Sequence, residues 1–299
     1  MTGPLVFDRR AVRRHRDRAA ADFAAHDFLF REVGDRLLDR LADMARRFPT
    51  ALDLGCRTGT LARHIAGRGG VERLVSAELS PVMARAAPPP RLVADEEALP
   101  FAPASFDLVL SNLALHWTND LPGALLQIRQ ALKPDGLFLA ALFGGDTLTE
   151  LREALLGAEL DLAGGVSPRL SPVVDLRDAG MLLQRAGFAL PVIDTDLLTV
   201  TYADALALMR DLRGMGETNA AAERLRHPTR RTVLAEAAVR YAARHADAEG
   251  RIVARFQVIF LTGWAPSAST PKPARRGSAT HRLADALGAR ERKAGEKAG

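Results

Sequence analysis

The stretch that most constrains this chain is Ala51-Leu-Asp-Leu-Gly-Cys-Arg-Thr-Gly-Thr-Leu-Ala62. A short apolar run ends in an acid, passes two closely spaced glycines and opens into an apolar-periodic segment. That order predicts a strand, a tight turn and a helix N-terminus, the place where α/β proteins hold nucleotide-like ligands. Gly55 is free to take a positive φ and lets backbone approach a ligand, while Gly59 permits close packing of strand on helix. Asp53, at the carboxyl end of the strand, is placed to accept hydrogen bonds from a cationic or hydroxylated group. Glycine turns after apolar strands are common, so the weight of this one depends on the segments C-terminal to it.

Those segments alternate between strands and helices. Leu74-Val-Ser-Ala-Glu78-Leu79 reads as a second strand, and Ser80-Pro81 as a helix start with Ser as N-cap. Leu92-Val-Ala-Asp95 is a third strand ending in an acid. Phe106–Asn112 is a fourth, followed by Leu113-Ala-Leu-His116-Trp117. An amphipathic helix over 120–132 closes at the turn Lys133-Pro-Asp-Gly136, and Leu137–Phe143 is a fifth strand. Repeated units of this kind imply a parallel sheet covered by helices on both faces. Ahead of them, 9–25 reads as a polar surface helix. A second helix over 28–46 carries Phe28, Phe30, Val33, Leu37, Leu38, Leu41 and Met44 at helical spacing. Behind them, helices are expected over 147–163, 175–186, 203–212 and 230–244, with a strand-like Leu197–Tyr202 and a final strand Ile252–Trp264. Gly164–Pro172 and Arg213–Asn219 read as loops. The division expected is N-terminal helices over 1–47, a main domain over 48–266 with a lid inserted at about 147–230, and a tail over 267–299.

Composition narrows the class. The chain has 299 residues, 47% of them hydrophobic, which is ordinary for a globular protein. No stretch approaches the roughly 18 uninterrupted apolar residues of a membrane span, and the N-terminus lacks an apolar signal core. The compartment expected is therefore the cytoplasm. One cysteine, Cys56, excludes an intramolecular disulfide and a cysteine-cluster metal site. The net charge of +5 comes from two ends. Arginines crowd Arg9 to Arg18, and Lys272 to Lys297 lies in a Pro-, Ser-, Ala- and Gly-rich tail that reads as disordered. With only 5% aromatic residues there is no stacking platform for specific nucleic-acid binding. Peripheral contact with a membrane surface stays open.

Asp53, Glu78 and Asp95 stand at the ends of three successive strands, the crevice where ligands bind in an open parallel sheet. Glu78 lies about twenty residues past the glycine turn, the distance at which a carboxylate clasps a ribose diol. Asp95 with Glu96 suits the exocyclic amine of an adenine. His116 has two readings: a general base at the mouth of the site, or a partner of Trp117 in a packed pair that orients the loop. The second is preferred.

Taken with Asp95-Glu-Glu-Ala-Leu-Pro-Phe101, Ser105–Asn112 and Leu132–Gly136, these residues resemble class I S-adenosylmethionine-dependent methyltransferases over about 48–145. Gly165–Pro172, Leu212–Asn219, Phe256–Trp264 and Phe7-Asp-Arg9 resemble more narrowly the methyltransferase-like assembly factors of respiratory complex I. A neighbouring group methylates the carboxyl of malonyl-acyl carrier protein. The resemblance implies a Rossmann-like seven-stranded α/β sheet with helices on both faces, N-terminal helices and a helical insertion after the fifth strand. It implies S-adenosylmethionine as cofactor, with Asp53, Gly55, Cys56 and Gly59 at its methionine end, Glu78 and Leu79 at the ribose, Asp95 and Glu96 at the adenine, and Asn112 and Leu113 near the methionine moiety. The acceptor is open: a protein client such as a complex I subunit, whose arginine is hydroxylated, or a small molecule or carrier protein. His116, Arg169, Arg177, Glu217 and Asn219 are the candidate substrate contacts; no metal ligand and no catalytic residue is assigned. One position departs from the pattern, since Arg57 stands where a glycine is usual, and its side chain is expected to reach solvent or the ligand carboxylate.

Overall fold

The computed structural model describes residues 5–65, 67–170, 176–268, 270, 285 and 287–289, with the side chains of 176 and 177 excepted. The described residues up to Ser267 belong to one compact unit, in which the N-terminal helices pack on the sheet domain. The tail expected over 267–299 belongs almost wholly outside the described residues.

In chain order the elements are α1 (Arg9–Ala19), α2 (Phe28–Ala42), β1 (Thr50–Leu54), α3 (Thr60–His64), β2 (Arg73–Glu78), α4 (Pro81–Ala86), β3 (Arg91–Val93), β4 (Phe106–Asn112), α5 (Leu121–Ala131) and β5 (Leu132–Phe143). Then come α6 (Thr149–Ala163), α7 (Leu176–Arg185), β6 (Ala189–Tyr202), α8 (Ala205–Gly214), α9 (Arg231–His245) and β7 (Ile252–Trp264). The seven strands lie in the order β3-β2-β1-β4-β5-β7-β6. Strands β1 to β5 pair in parallel, and β7 runs antiparallel between β5 and β6. This is the expected α/β architecture.

The central strands are apolar on both faces because helices cover both. Leu108 and Leu110 pack with Leu37, Leu38 and Leu41 of α2, while Val109 between them packs with Leu125 and Ile128 of α5. Successive strand residues point to opposite faces, so an uninterrupted apolar run feeds two cores. The chain steps from β1 outward through β2 to β3, then returns to place β4 on the other side of β1. Between the carboxyl ends of β1 and β4 a crevice opens, the topological switch point.

Two expectations change. The stretch 147–230 is not one insertion, because β6, a 14-residue strand of the main sheet, runs through it. The first helix stops at Ala19, a 3-10 turn covers Phe23–Ala25, and α1 is not solvated all round: Arg10 and Arg13 are exposed, but Arg16 has no exposed area.

Candidate functional site

The glycine turn after β1 is set by close approach. Gly55 and Gly59 have φ of 74° and 86°. A Cβ on Gly55 would lie 2.2 Å from the Ala114 Cβ, and one on Gly59 2.4 Å from Pro88 Cδ, so larger residues are excluded on both counts. Between them Arg57 holds φ at 54°. That conformation costs a non-glycine residue about 1–2 kcal/mol. Three hydrogen bonds offset it. Its N–H donates to Glu78 Oε2 at 2.9 Å, and its Nη2 donates to the Leu113 carbonyl at 3.0 Å and to Glu217 Oε1 at 2.6 Å. The guanidinium lies 5.2 Å from the centre of the Phe30 ring. Arg57 therefore does not reach solvent: it is 1% exposed and crosses the crevice to the far wall.

The acids at the strand ends are mostly committed; Asp53, Glu78 and Glu96 are buried and Asp95 is half-buried. Glu78 Oε1 accepts from the Ser80 N–H at 2.9 Å and from Arg16 Nη1 at 2.9 Å. Arg16 Nη1 also donates to Glu96 Oε1 at 2.8 Å. Arg9 donates to Asp95 Oδ1 at 2.5 Å and to Glu96. Burial would raise the Glu96 carboxyl, but Arg16 and Arg9 pull it down to about 2. Asp53 is the exception. Neither of its oxygens has a hydrogen-bond partner and it is fully buried, so burial and then the nearby Glu78 push its carboxyl up to about 8. Thr60 Oγ1 and Asn112 Oδ1 are likewise unpartnered around the same small space. Asn112 turns its Nδ2 to the Phe30 carbonyl at 2.7 Å, and the Leu113 N–H donates to Ala141. Leu79 packs with Trp117 and Val12 of α1. Cys56 is buried, and burial followed by the charge of Asp53 raises its thiol, which leaves it unreactive.

Glu217, in the loop after α8, is the hub of the opposite wall. Besides Arg57, its carboxylate accepts from Trp117 Nε1 at 2.9 Å and bonds His116 Nε2 at 3.1 Å. Burial opposes its ionisation, but Arg57 and His116 outweigh burial and hold it below the usual carboxylate range. Burial keeps His116 neutral below its ordinary range despite Glu217. His116 thus orients the loop and also lines a cavity of about 60 Å³ with Phe143, Leu212, Glu217 and Phe256. That cavity shares Leu170, Leu212, Glu217 and Asn219 with a cleft of about 710 Å³ whose wall carries Arg210, Arg213 and Arg224.

Of the other candidates, Arg169 lines the cleft but spends its donors on Glu159 and on Thr229 Oγ1 at 2.6 Å. Asn219 donates to the Pro168 carbonyl at 2.7 Å and accepts from the Ala221 N–H at 2.9 Å. Arg177 lies in the first turn of α7, and its side chain is outside the described residues. Sequence reasoning missed Arg9 and Arg16. The available signal was their seven-residue spacing, which puts them on the same helical stripe as Val12 and Ala19.

A methyltransferase-domain family matches residues 52–140, the span that holds the glycine turn and the three acids. The mitochondrial arginine-hydroxylase NDUFAF5 of Danio rerio is 46% identical over 95% of this chain and 90% of its own length. The chain belongs to the class I S-adenosylmethionine-dependent methyltransferase family. Within it, the malonyl-[acyl-carrier protein] O-methyltransferase of a Methylovorus strain is 36% identical over 90% of this chain and 93% of its own. The fold agrees with the YcgJ crystal structure from Bacillus, with a TM-score of 0.55 at 17% identity over 78% of this chain and all of that one.

The residues suit the family's cofactor in chemistry: an unpartnered buried acid stands at the glycine turn and a second acid at the end of β2. They do not leave it room in this conformation. The space beside Asp53, Gly55 and Asn112 is about 10 Å³, on the scale of a single water molecule. Arg57 forms part of its wall, and Arg16 occupies the carboxylate of Glu78.

Proposed function

We propose that this chain binds S-adenosylmethionine at the glycine turn, with Asp53 and Glu78 as its principal acids, and acts on an arginine side chain offered by a protein client. The bound sulfonium supplies an activated methyl group, so the protein's share is to align the acceptor and exclude water. That share falls to Glu217, His116 and the aromatic walls Phe143 and Phe256.

The observation that carries the acceptor class is the buried carboxylate of Glu217 at the end of the cleft, already holding one guanidinium, that of Arg57. A site that seats an internal arginine between a carboxylate and an aromatic ring has the chemistry for an external one. The arginine-hydroxylase relatives support the same class. A carboxyl acceptor, as in the malonyl relatives, would face Glu217 across the cavity and have Arg152 on its wall as cationic partner. Glu217 disfavours that reading. The client we propose is a respiratory complex I subunit, met in the cytoplasm; among the described residues no helix is long and apolar enough to cross a membrane.

Two measurements test this. Isothermal titration with S-adenosylhomocysteine should show stoichiometric binding, and none at millimolar ligand removes the cofactor. Peptide mass analysis of complex I subunits from a deletion strain should show one arginine losing its modification. A lost oxygen marks hydroxylation and a lost methyl group marks transfer; unchanged peptides sink the client.

A further inference from the structure

We infer that α1 is a displaceable plug: Arg9 and Arg16 stand in for the adenosine part of the cofactor, and cofactor entry requires α1 to swing out from the loop over 215–222. The inference rests on the proposed cofactor site at Glu78 and Asp95.

The carboxylate of Glu78 is saturated by protein. One oxygen accepts from Ser80 and Arg16, the other from the Arg57 N–H. A ribose diol reaching that carboxylate must replace donors already there, and Arg16 is the one on an element that can leave. Asp95 is half-buried and is held at one oxygen by Arg9.

The guanidinium of Arg16 is poorly satisfied where it lies. It is completely buried, only Nη1 makes hydrogen bonds, and Nε and Nη2 have no partner. A guanidinium carries five N–H donors, and each one buried without an acceptor forfeits the hydrogen bond it would make to water. A helix docked for stability alone is better served by an apolar residue at that position. The arginine matches the charge of the acids instead.

Elsewhere α1 is held mainly near its N-terminal end and at one loop. Phe7, Ala11 and Val12 form a small apolar cluster with Leu79, Trp117 and Ala220, while Ala19 at the C-terminal end packs in the main core; Ser80 donates to Asp17 at 2.5 Å and Arg9 to the Trp117 carbonyl at 3.1 Å. The Asp8 N–H donates to Ala220 at 2.8 Å, His15 Nδ1 bonds the Thr218 carbonyl at 3.0 Å, and Arg224 pairs with Asp8 at 3.0 Å. Glu217 in that loop also holds Arg57. Withdrawal of α1 from that loop takes Arg16 off Glu78 and Arg9 off Asp95 in one movement, and leaves Glu217 on Arg57 and His116. The pivot is the turn over 20–22, beyond which Phe23 is anchored in the main core.

Hydrogen exchange on the full chain tests this without a variant. With saturating S-adenosylhomocysteine, amides of residues 9–19 should exchange faster; slower exchange there overturns the plug. In parallel, Arg16→Ala should bind S-adenosylhomocysteine about tenfold tighter, the gain expected when about a tenth of the wild-type population is open. Arg10→Ala, on the exposed face of α1, should bind as wild type. Unchanged or weaker binding by folded Arg16→Ala overturns the inference and leaves the cofactor reading standing. No binding by either wild type or Arg16→Ala overturns both.

Discussion

The carboxylate of Glu217 and the guanidinium of Arg57 meet at 2.6 Å, both within a few per cent of complete burial. They come from opposite walls: Arg57 from the turn after β1, Glu217 from the loop after α8. The pair joins the crevice at the glycine turn to the cleft proposed for the acceptor, so a change on either side is felt on the other. It also explains how a bulky residue persists at a left-handed position in the glycine turn.

Glu217→Gln should destabilise the chain by about 3 kcal/mol, because it strands a buried guanidinium while keeping an acceptor for Trp117. Urea unfolding followed by fluorescence reads the change. A loss below about 1 kcal/mol would mean that the pair is solvated in solution.

Arg57→Gly relieves the left-handed strain but leaves Glu217 buried without its cation. In a double-mutant cycle with Glu217→Gln the two losses should fall short of additivity by roughly 1–3 kcal/mol. Additive losses would show that the residues do not act as a pair.

Asp53 gives a signed pH dependence. Its folded carboxyl sits at about 8, above the ordinary value near 4. The folded state therefore holds a proton that the unfolded chain releases. The stabilisation this provides is complete below about pH 4 and is lost as pH rises to about 8, by up to about 1.4 kcal/mol per pH unit. Asp53→Asn carries no such dependence. Its stability relative to wild type should climb from pH 5 to pH 8 in chemical denaturation, while its affinity for S-adenosylhomocysteine falls. A pH-independent difference would place a partner on Asp53.

His15 works in the opposite sense. Burial, then the charge of Arg18, lowers its imidazole to about 4, so the unfolded chain takes up a proton that the folded one refuses. Stability from this group is present above about pH 6.5 and is lost as pH falls towards 4. Because His15 ties α1 to Thr218, exchange of the α1 amides should accelerate at pH 5 relative to pH 7 after correction for intrinsic rates. His15→Asn should flatten that response; an unchanged one would assign it to another group.

The sheet and its acids were legible because parallel strands covered on both faces read as continuous apolar runs, the first three closed by a visible acid. β6 was read only from Leu197 because Pro191, Asp194 and Asp196 break its apolar pattern. It is an edge strand, and those acids are taken up by Arg40 and Arg36 of α2 at 2.6 and 2.8 Å. Arg16 was illegible for a different reason. Charge on a helix usually marks the solvent side, and the acids that reverse the rule here lie 62 and 80 positions away. Glu217 could be singled out from its loop, but its partners Arg57, His116 and Trp117 come together only through the fold.

The bond between His15 and Thr218 spans 203 positions. During synthesis α1 leaves the ribosome before every strand of the sheet, yet the loop that receives it is translated only after six of the seven. The helix must wait, its arginines solvated, until residues through Arg224 have emerged, so it docks late in a sequence of long-range closures. The acids at the ends of β2 and β3 accordingly spend that interval exposed, and the crevice is open to ligand before the chain is finished.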